Sequence, residues 1–217
     1  MLPGNAELVI CPYCGTKKEL MTLMSGNTFG AEYWSDNKEI APMLPKVSPV
    51  QKCPHCGKYY LKHKQDTEEG DDYTFDLGTL SYPEWKEAYS QFTCQHAQKV
   101  KDKHTEITDD DLNDMEFLLI QAYNDYYHRN KVAEPSEKEY IFFCWILNRF
   151  IEGYDWSSIE APLLKAEFYR EANEMKKCAE VLRAIPYDML EDYEKGIYDG
   201  IKDRMEKNDI IVFQLFV

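Results

Sequence analysis

The spacing of apolar residues changes near residue 80, and the change divides the chain into two kinds of structure. Before it, β-prone residues cluster in short runs over 19–24 and 28–34, on either side of the turn signal Ser25-Gly26-Asn27, and again over 58–61. Runs this short, bounded by Gly, Asn and Ser, predict a small antiparallel sheet of two or three strands. Asp36-Asn37-Lys38 reads as a second turn, and Pro42, Pro45 and Pro49 hold the return path extended. Residues 63–78 then become polar, acidic and broken by glycine, with Gln65-Asp66-Thr67-Glu68-Glu69-Gly70-Asp71-Asp72 at their centre. They predict a solvated linker.

From residue 81 the apolar period is helical. Ser81-Tyr82-Pro83-Glu84 is a capping box with an early proline, and Trp85, Ala88, Tyr89 and Phe92 share the face behind it. Thr108 precedes Asp109-Asp110-Asp111, a first turn that complements the helix dipole, and Leu112, Met115, Leu119, Ala122 and Tyr126 follow at helical spacing. Ser136-Glu137-Lys138-Glu139 opens a third helix through Tyr140, Phe143, Cys144, Leu147 and Ile151, stopped by Gly153. A fourth begins at Ser157-Ser158-Ile159-Glu160 and runs to Ala172, and Asn173 turns into a fifth over 175–185. Pro186 starts a sixth that carries Leu190, Tyr193, Ile197, Ile201 and Met205. The β-branched, apolar end, 210–217, is expected to dock as a strand or a packing segment. The class is α+β: residues 1–63 a small sheet, 64–80 an acidic linker, 81–217 an all-α domain of helical hairpins.

Charge sharpens that division. The net charge is −14 over 217 residues, and residues 1–63 carry seven lysines against five acidic residues while the remainder is at −16. The helical part would repel a phosphate backbone, and the first 63 residues hold no basic cluster, so nucleic acid is not the expected partner. No apolar run approaches the length of a membrane-spanning helix, and the N-terminus lacks the basic start and apolar stretch of a signal peptide. With Cys94, Cys144 and Cys178 scattered and read as buried free thiols, the expected compartment is the reducing cytoplasm.

The candidate chemistry lies in Cys11-Pro12-Tyr13-Cys14-Gly15 and Cys53-Pro54-His55-Cys56-Gly57. In each C-P-x-C-G turn the proline fixes the bend and the glycine takes a backbone conformation that a Cβ penalises, so both cysteines point to one centre. Two such turns supply the four thiolates of a closed tetrahedral shell, and Cys11, Cys14, Cys53 and Cys56 are expected to hold one structural zinc ion. His55 is then surplus to the shell. Catalytic signatures are missing: there is no phosphate-cradling glycine loop, G-x-S-x-G or H-E-x-x-H, and Asp125-x-x-His128 reads as a surface pair. The sequence points away from an enzyme.

Residues 164–182 resemble a tetratricopeptide helix pair, with Ala166, Ala172 and Ala179 permitting close approach and Tyr169 and Leu182 filling the gap. Together with the cysteine turns, the chain resembles uncharacterised bacterial proteins in which a zinc ribbon precedes tetratricopeptide-like hairpins; the resemblance covers the cysteine-bearing segment and about 136–207. It implies a zinc-ribbon sheet followed by a bundle of helical hairpins. Aromatic residues are too many for one stripe of the third helix, since Phe142 and Trp145 fall off its Tyr140–Phe143–Leu147 face. The function expected is therefore a zinc-binding protein–protein interaction module, with Trp145, Tyr154 and Trp156 as candidate contacts and a basic protein or peptide as partner. The alternative is a regulatory protein associated with nucleic acid.

Overall fold

The computed structural model describes residues 1–157 and 161–215. Strands are β1 (Leu2–Pro3), β2 (Glu7–Ile10), β3 (Lys17–Leu20), β4 (Leu23–Ser25), β5 (Glu32–Trp34), β6 (Glu39–Ile40), β7 (Val50–Lys52), β8 (Tyr59–Leu61), β9 (Thr67–Glu69) and β10 (Gln214–Leu215). Helices are α1 (Tyr82–Ala97), α2 (Asp109–Asn124), α3 (Glu137–Gly153), α4 (Ala161–Glu171), α5 (Met175–Ala184) and α6 (Asp192–Glu206). The class is mixed α+β, small antiparallel sheets followed by helices. Among the described residues no helix is long and apolar enough to cross a membrane.

The chain forms two compact units, one of residues 1–31 and 41–115, the other of 32–40 and 116–217. Composition drew its lines at 63 and 80 instead, and polar contacts invisible to composition explain the difference. In the first unit the acidic segment is not wholly a linker, because β9 pairs with β2 (Leu8↔Glu68) and completes a sheet of order β3-β2-β9. Helix α1 packs on β8. Its capping box forms as expected, with the Ser81 N–H donating to Glu84 Oε2 at 3.0 Å and the Glu84 carboxyl held down at about 2 by that bond and by Lys52. At α2 the Thr108 N–H donates to Asp111 Oδ2 at 2.7 Å and the Asp111 N–H to Thr108 Oγ1 at 3.1 Å, so the acidic first turn is a cap.

The turn signal at 25–27 does not close the expected hairpin. β4 pairs with β1 (Leu2↔Ser25), while β5 belongs to the second unit. A Cβ on Gly26 would lie 2.5 Å from the Met43 carbonyl oxygen, so this glycine serves a close backbone approach.

In the second unit β5 and β6 form a hairpin around Asn37, whose φ of +60° suits the turn read there, and β10 pairs on the free side of β5 (Gln214↔Trp34). The apolar C-terminal segment thus docks as a strand; residues 216–217 lie outside the described residues, as do 158–160, within which the sequence puts the start of the fourth helix. Asn173, also at φ +60°, terminates α4, and α4 and α5 pack as a hairpin with α6 against both. Leu163, Ala166, Cys178, Leu182, Ile201 and Phe213 bury between them. Pro186 does not open α6. It precedes a single 3₁₀ turn, and α6 starts at Asp192 behind a box made by Glu191 and Glu194, whose carboxylates satisfy the free amides.

Candidate metal centre

Two hairpins of the first unit are built alike and present the four cysteines. β2 pairs with β3 (Ile10↔Lys17) around the first C-P-x-C-G turn, and β7 with β8 (Lys52↔Tyr59) around the second. The Cys11 N–H donates to the Thr16 carbonyl at 2.9 Å, and the Cys53 N–H to that of Lys58 at 2.9 Å. The Gly15 N–H returns to the Cys11 carbonyl at 2.9 Å, and the Gly57 N–H to that of Cys53 at 3.0 Å. Both glycines hold φ at +73°, the left-handed region where a side chain is strained.

The thiols from both turns converge. All four sulfurs lie within 4.8 Å of one another, with Cys11 Sγ 3.7 Å from Cys56 Sγ and Cys14 Sγ 3.6 Å from Cys53 Sγ. A tetrahedral shell with metal–sulfur bonds of about 2.3 Å has edges of about 3.8 Å, so these separations suit one metal ion held by four thiolates. Such a set leaves no ligand position for a substrate. All seven cysteines are free.

Burial grades the site. Cys11 and Cys53 lie in a small core with Val9, Leu20 and Tyr60, whereas Cys14 is exposed and Cys56 partly so. Burial pushes the Cys11 thiol up to about 12. At the open side the Thr16 hydroxyl, 3.3 Å from Cys14 Sγ, and the Thr16 amide draw the Cys14 thiol down to about 5. The Cys56 N–H donates to Cys53 Sγ at 3.4 Å, the amide-to-sulfur bond that such turns offer thiolate charge. Tyr60 is buried with no hydrogen-bond partner for its hydroxyl. Burial first, then the charge of Cys11, raises its phenol, so it stays a neutral donor beside the sulfurs.

A polar layer that the sequence did not reveal fixes α1 against this site. The Tyr13 hydroxyl, from the middle of the first turn, accepts from Gln95 Nε2 at 2.7 Å and Gln91 Nε2 at 3.2 Å. The Tyr59 hydroxyl donates to Glu87 Oε2 at 2.6 Å, and Lys52 Nζ meets Glu84 Oε1 at 3.0 Å. The signal available was the i, i+4 spacing of Glu87, Gln91 and Gln95 along α1, which reads as solvated surface without knowledge of the partners.

The remaining candidates for partner contact belong to the second unit, the four cysteines to the first. On α3, Trp145 is 48% exposed, with the Arg149 guanidinium 5.3 Å from its ring centroid; Tyr154 is 42% exposed. Trp156 is half-buried, packs edge-on against Phe150, and its indole N–H donates to the Ile151 carbonyl at 2.8 Å, so it is a structural residue. Asp125 and His128 are not a surface pair. Asp125 accepts from Arg129 at 2.6 Å, while His128 sits edge-on to Tyr123 with Nδ1 buried and unpartnered. Of the three spare thiols only Cys178 is buried; Cys144 is intermediate and Cys94 exposed, because Cys94 lies off the α1 face that holds Tyr89 and Phe92.

No family model matches the chain, and no curated protein or solved structure does either.

Proposed function

We propose that this chain is a non-catalytic protein-binding module whose first unit is stapled by one structural zinc ion, the arrangement of the zinc-ribbon and tetratricopeptide-like proteins it resembles. Zinc is the metal that four convergent thiolates at tetrahedral spacing favour, and a sheet this small needs the binding free energy to hold its fold. The protein-binding part is carried by one observation. Ile141 and Trp145, one turn apart on α3, are 60% and 48% exposed. Phe142 lies beside Trp145 with the rings tilted and their centroids 5.9 Å apart, so an aromatic surface faces outward along that helix. A helix face of this kind receives the apolar anchors of a peptide or a second helix.

The second unit carries 14 basic against 23 acidic residues, which favours a partner whose anchors are flanked by Lys or Arg. Nucleic acid fits less well. The first unit has 11 lysines, no arginine and 16 acidic residues, so the mild positive balance of residues 1–63 is reversed once the rest of the unit is counted. Seven free thiols suit a reducing, cytoplasmic setting.

Two measurements test the reading. Metal analysis of gently purified protein should find about one zinc per chain; no metal, or a Cys11–Cys14 disulfide, overturns that half. Proteins retained from native extract by the wild type should be lost with Trp145→Ala and Tyr154→Ala at unchanged melting temperature. Retention of every partner by both folded variants overturns the other half.

A further inference from the structure

The second unit encloses a set of charged side chains that neither the metal site nor the exposed helix face uses. Asp36, at the tip of the β5–β6 hairpin, is fully buried and takes both oxygens to Arg129 Nη1 at 2.9 Å. Asn124 Nδ2, from the end of α2, donates to Asp36 Oδ2 at 3.0 Å and to Glu171 Oε2 at 2.8 Å. Glu171, on the last turn of α4, is fully buried. Its helix neighbour Arg170 does not serve it: that guanidinium is engaged by Glu167 at 2.5 and 2.8 Å and by the carbonyls of Asp209 and Ile211.

Glu171 is therefore a buried carboxyl with one donor. Two acceptors remain without partners, its own Oε1 and Asn124 Oδ1. Both belong to the same amide–carboxyl contact, and a single proton on Oε1 supplies the donor the contact lacks. The charges around it ask for the same proton. With Asp36 paired to Arg129 and Glu167 to Arg170, an ionised Glu171 would be a third buried anion among two cations. From α3, the Tyr140 hydroxyl donates to the Glu171 backbone carbonyl at 3.1 Å and also meets the Cys144 sulfur, and burial raises the Cys144 thiol, so neither brings a positive charge to the carboxyl. Tyr123 on α2 is a neutral phenol, and from the turn after α2, His128 is held uncharged by burial and the nearby Arg129 and Arg170. Asp209, from the segment before β10, adds a further negative charge that is felt by Arg170.

We propose that Glu171 is a proton-carrying latch: as the neutral acid it donates to Asn124 Oδ1 and so holds the Asp36 turn on the helices, and loss of that proton to solvent as the pH rises loosens the β5–β6 hairpin. Burial, with Glu167 and Asp36 beside it, places its ionisation well above the ordinary carboxylate range. The sign follows from linkage. The folded state keeps a proton that the unfolded chain gives up in the ordinary carboxylate range, so this contribution to stability is complete below that range. It is lost as pH rises toward the folded value.

The direct test is a ¹³C NMR titration of the full chain with labelled glutamate carboxyls, from pH 5 to 9, read with hydrogen-exchange protection of the Ser35–Lys38 amides. Glu171 should remain protonated after the exposed glutamates have ionised, and protection, corrected for intrinsic exchange, should fall as it titrates. Between the ordinary carboxylate range and the pH at which Glu171 titrates, the unfolding constant of the wild type should rise relative to Glu171→Gln by roughly tenfold per pH unit, one proton's worth, and level off above it. The proposal is overturned if Glu171 titrates with the surface glutamates, or if a folded Glu171→Gln keeps the wild-type pH dependence. Should the variant not fold, the wild-type carboxyl titration decides alone.

Discussion

Gln91 bonds Tyr59 at both of its backbone groups: the Tyr59 N–H donates to Gln91 Oε1 at 3.1 Å, and Gln91 Nε2 donates to the Tyr59 carbonyl at 2.7 Å. A side-chain amide thus stands in for the next strand beside β8, where the two-stranded β7–β8 sheet would otherwise present open backbone groups. Through the same nitrogen it reaches the Tyr13 hydroxyl in the first cysteine turn. One glutamine ties α1 to both cysteine hairpins.

Gln91→Leu should consequently destabilise the first unit by about 1–3 kcal/mol, the cost of stranding buried backbone groups. Tyr59 is almost fully buried, so water cannot replace the lost bonds. Urea unfolding and exchange of the Tyr59 amide read the effect. A variant with unchanged stability and unchanged Tyr59 protection would show that the contact carries no weight.

Removing one thiolate tests the centre itself. Cys14→Ser replaces the exposed ligand and Cys11→Ser a buried one, and both should reduce metal content and melt the two cysteine hairpins, as should a strong chelator. Because the thiols must give up protons to bind, metal should leave on acidification. Zinc content and the circular dichroism of the metal-free chain are the readouts. A hairpin that stays folded without metal would mean that the core of Val9, Leu20 and Tyr60 suffices, against the smallness of that cluster.

The cysteine turns and the starts of α1, α2 and α3 were legible because their information is local, whereas the expected start of the sixth helix at Pro186 was not met. Pro12, Gly15 and their second copies act within five residues, and the Ser81 and Thr108 caps reach three residues on. What escaped depends on distant polar partners. Asp36 reads as a turn residue, and that is correct, yet its burial follows from Arg129, 93 positions later. Gln91 looks like solvated surface until Tyr59 is placed beside it. Periodicity sorts apolar from polar positions, but it cannot tell a polar residue that will be paired inside from one left in water.

Gly78 marks another such long-range constraint. Its φ is +62°, and a Cβ there would lie 2.0 Å from Gln51 Oε1. Gln51 is fully buried and cannot swing aside: Nε2 donates to the Ser48 carbonyl at 2.7 Å, and Oε1 accepts from Lys18 at 2.9 Å. Gly78→Ala should cost about 2–3 kcal/mol, from backbone strain and the broken amide bonds. Gly15→Ala, at a φ of +73° with nothing within 4 Å of its Cβ, carries the strain without the clash and should cost less. Denaturation midpoints of the two metal-loaded variants give the comparison, and an equal loss would assign the Gly78 effect to backbone alone.

His128 should set the acid side of the stability profile. Burial, reinforced by Arg129 and Arg170, holds its imidazole down to about 4, and the buried Nδ1 has no partner that would reward a proton. In the unfolded chain the same ring protonates near 6.5. The folded state therefore binds fewer protons between those values. Its contribution is fully present above about 6.5 and is lost as pH falls through about 4, on the order of 2–3 kcal/mol. His128→Gln keeps the polar shape and removes the titration, so urea unfolding at pH 7, 5.5 and 4 should show a shallower acid limb than the wild type, whatever the variant's absolute stability. An identical limb would place the acid sensitivity in the carboxylates or the thiols instead. Glu171 works in the opposite sense over an overlapping window, losing stability as pH rises. The two slopes partly cancel in the wild type, so His128→Gln should expose the alkaline-going decline, and Glu171→Gln the acid one, each more steeply than the parent protein does.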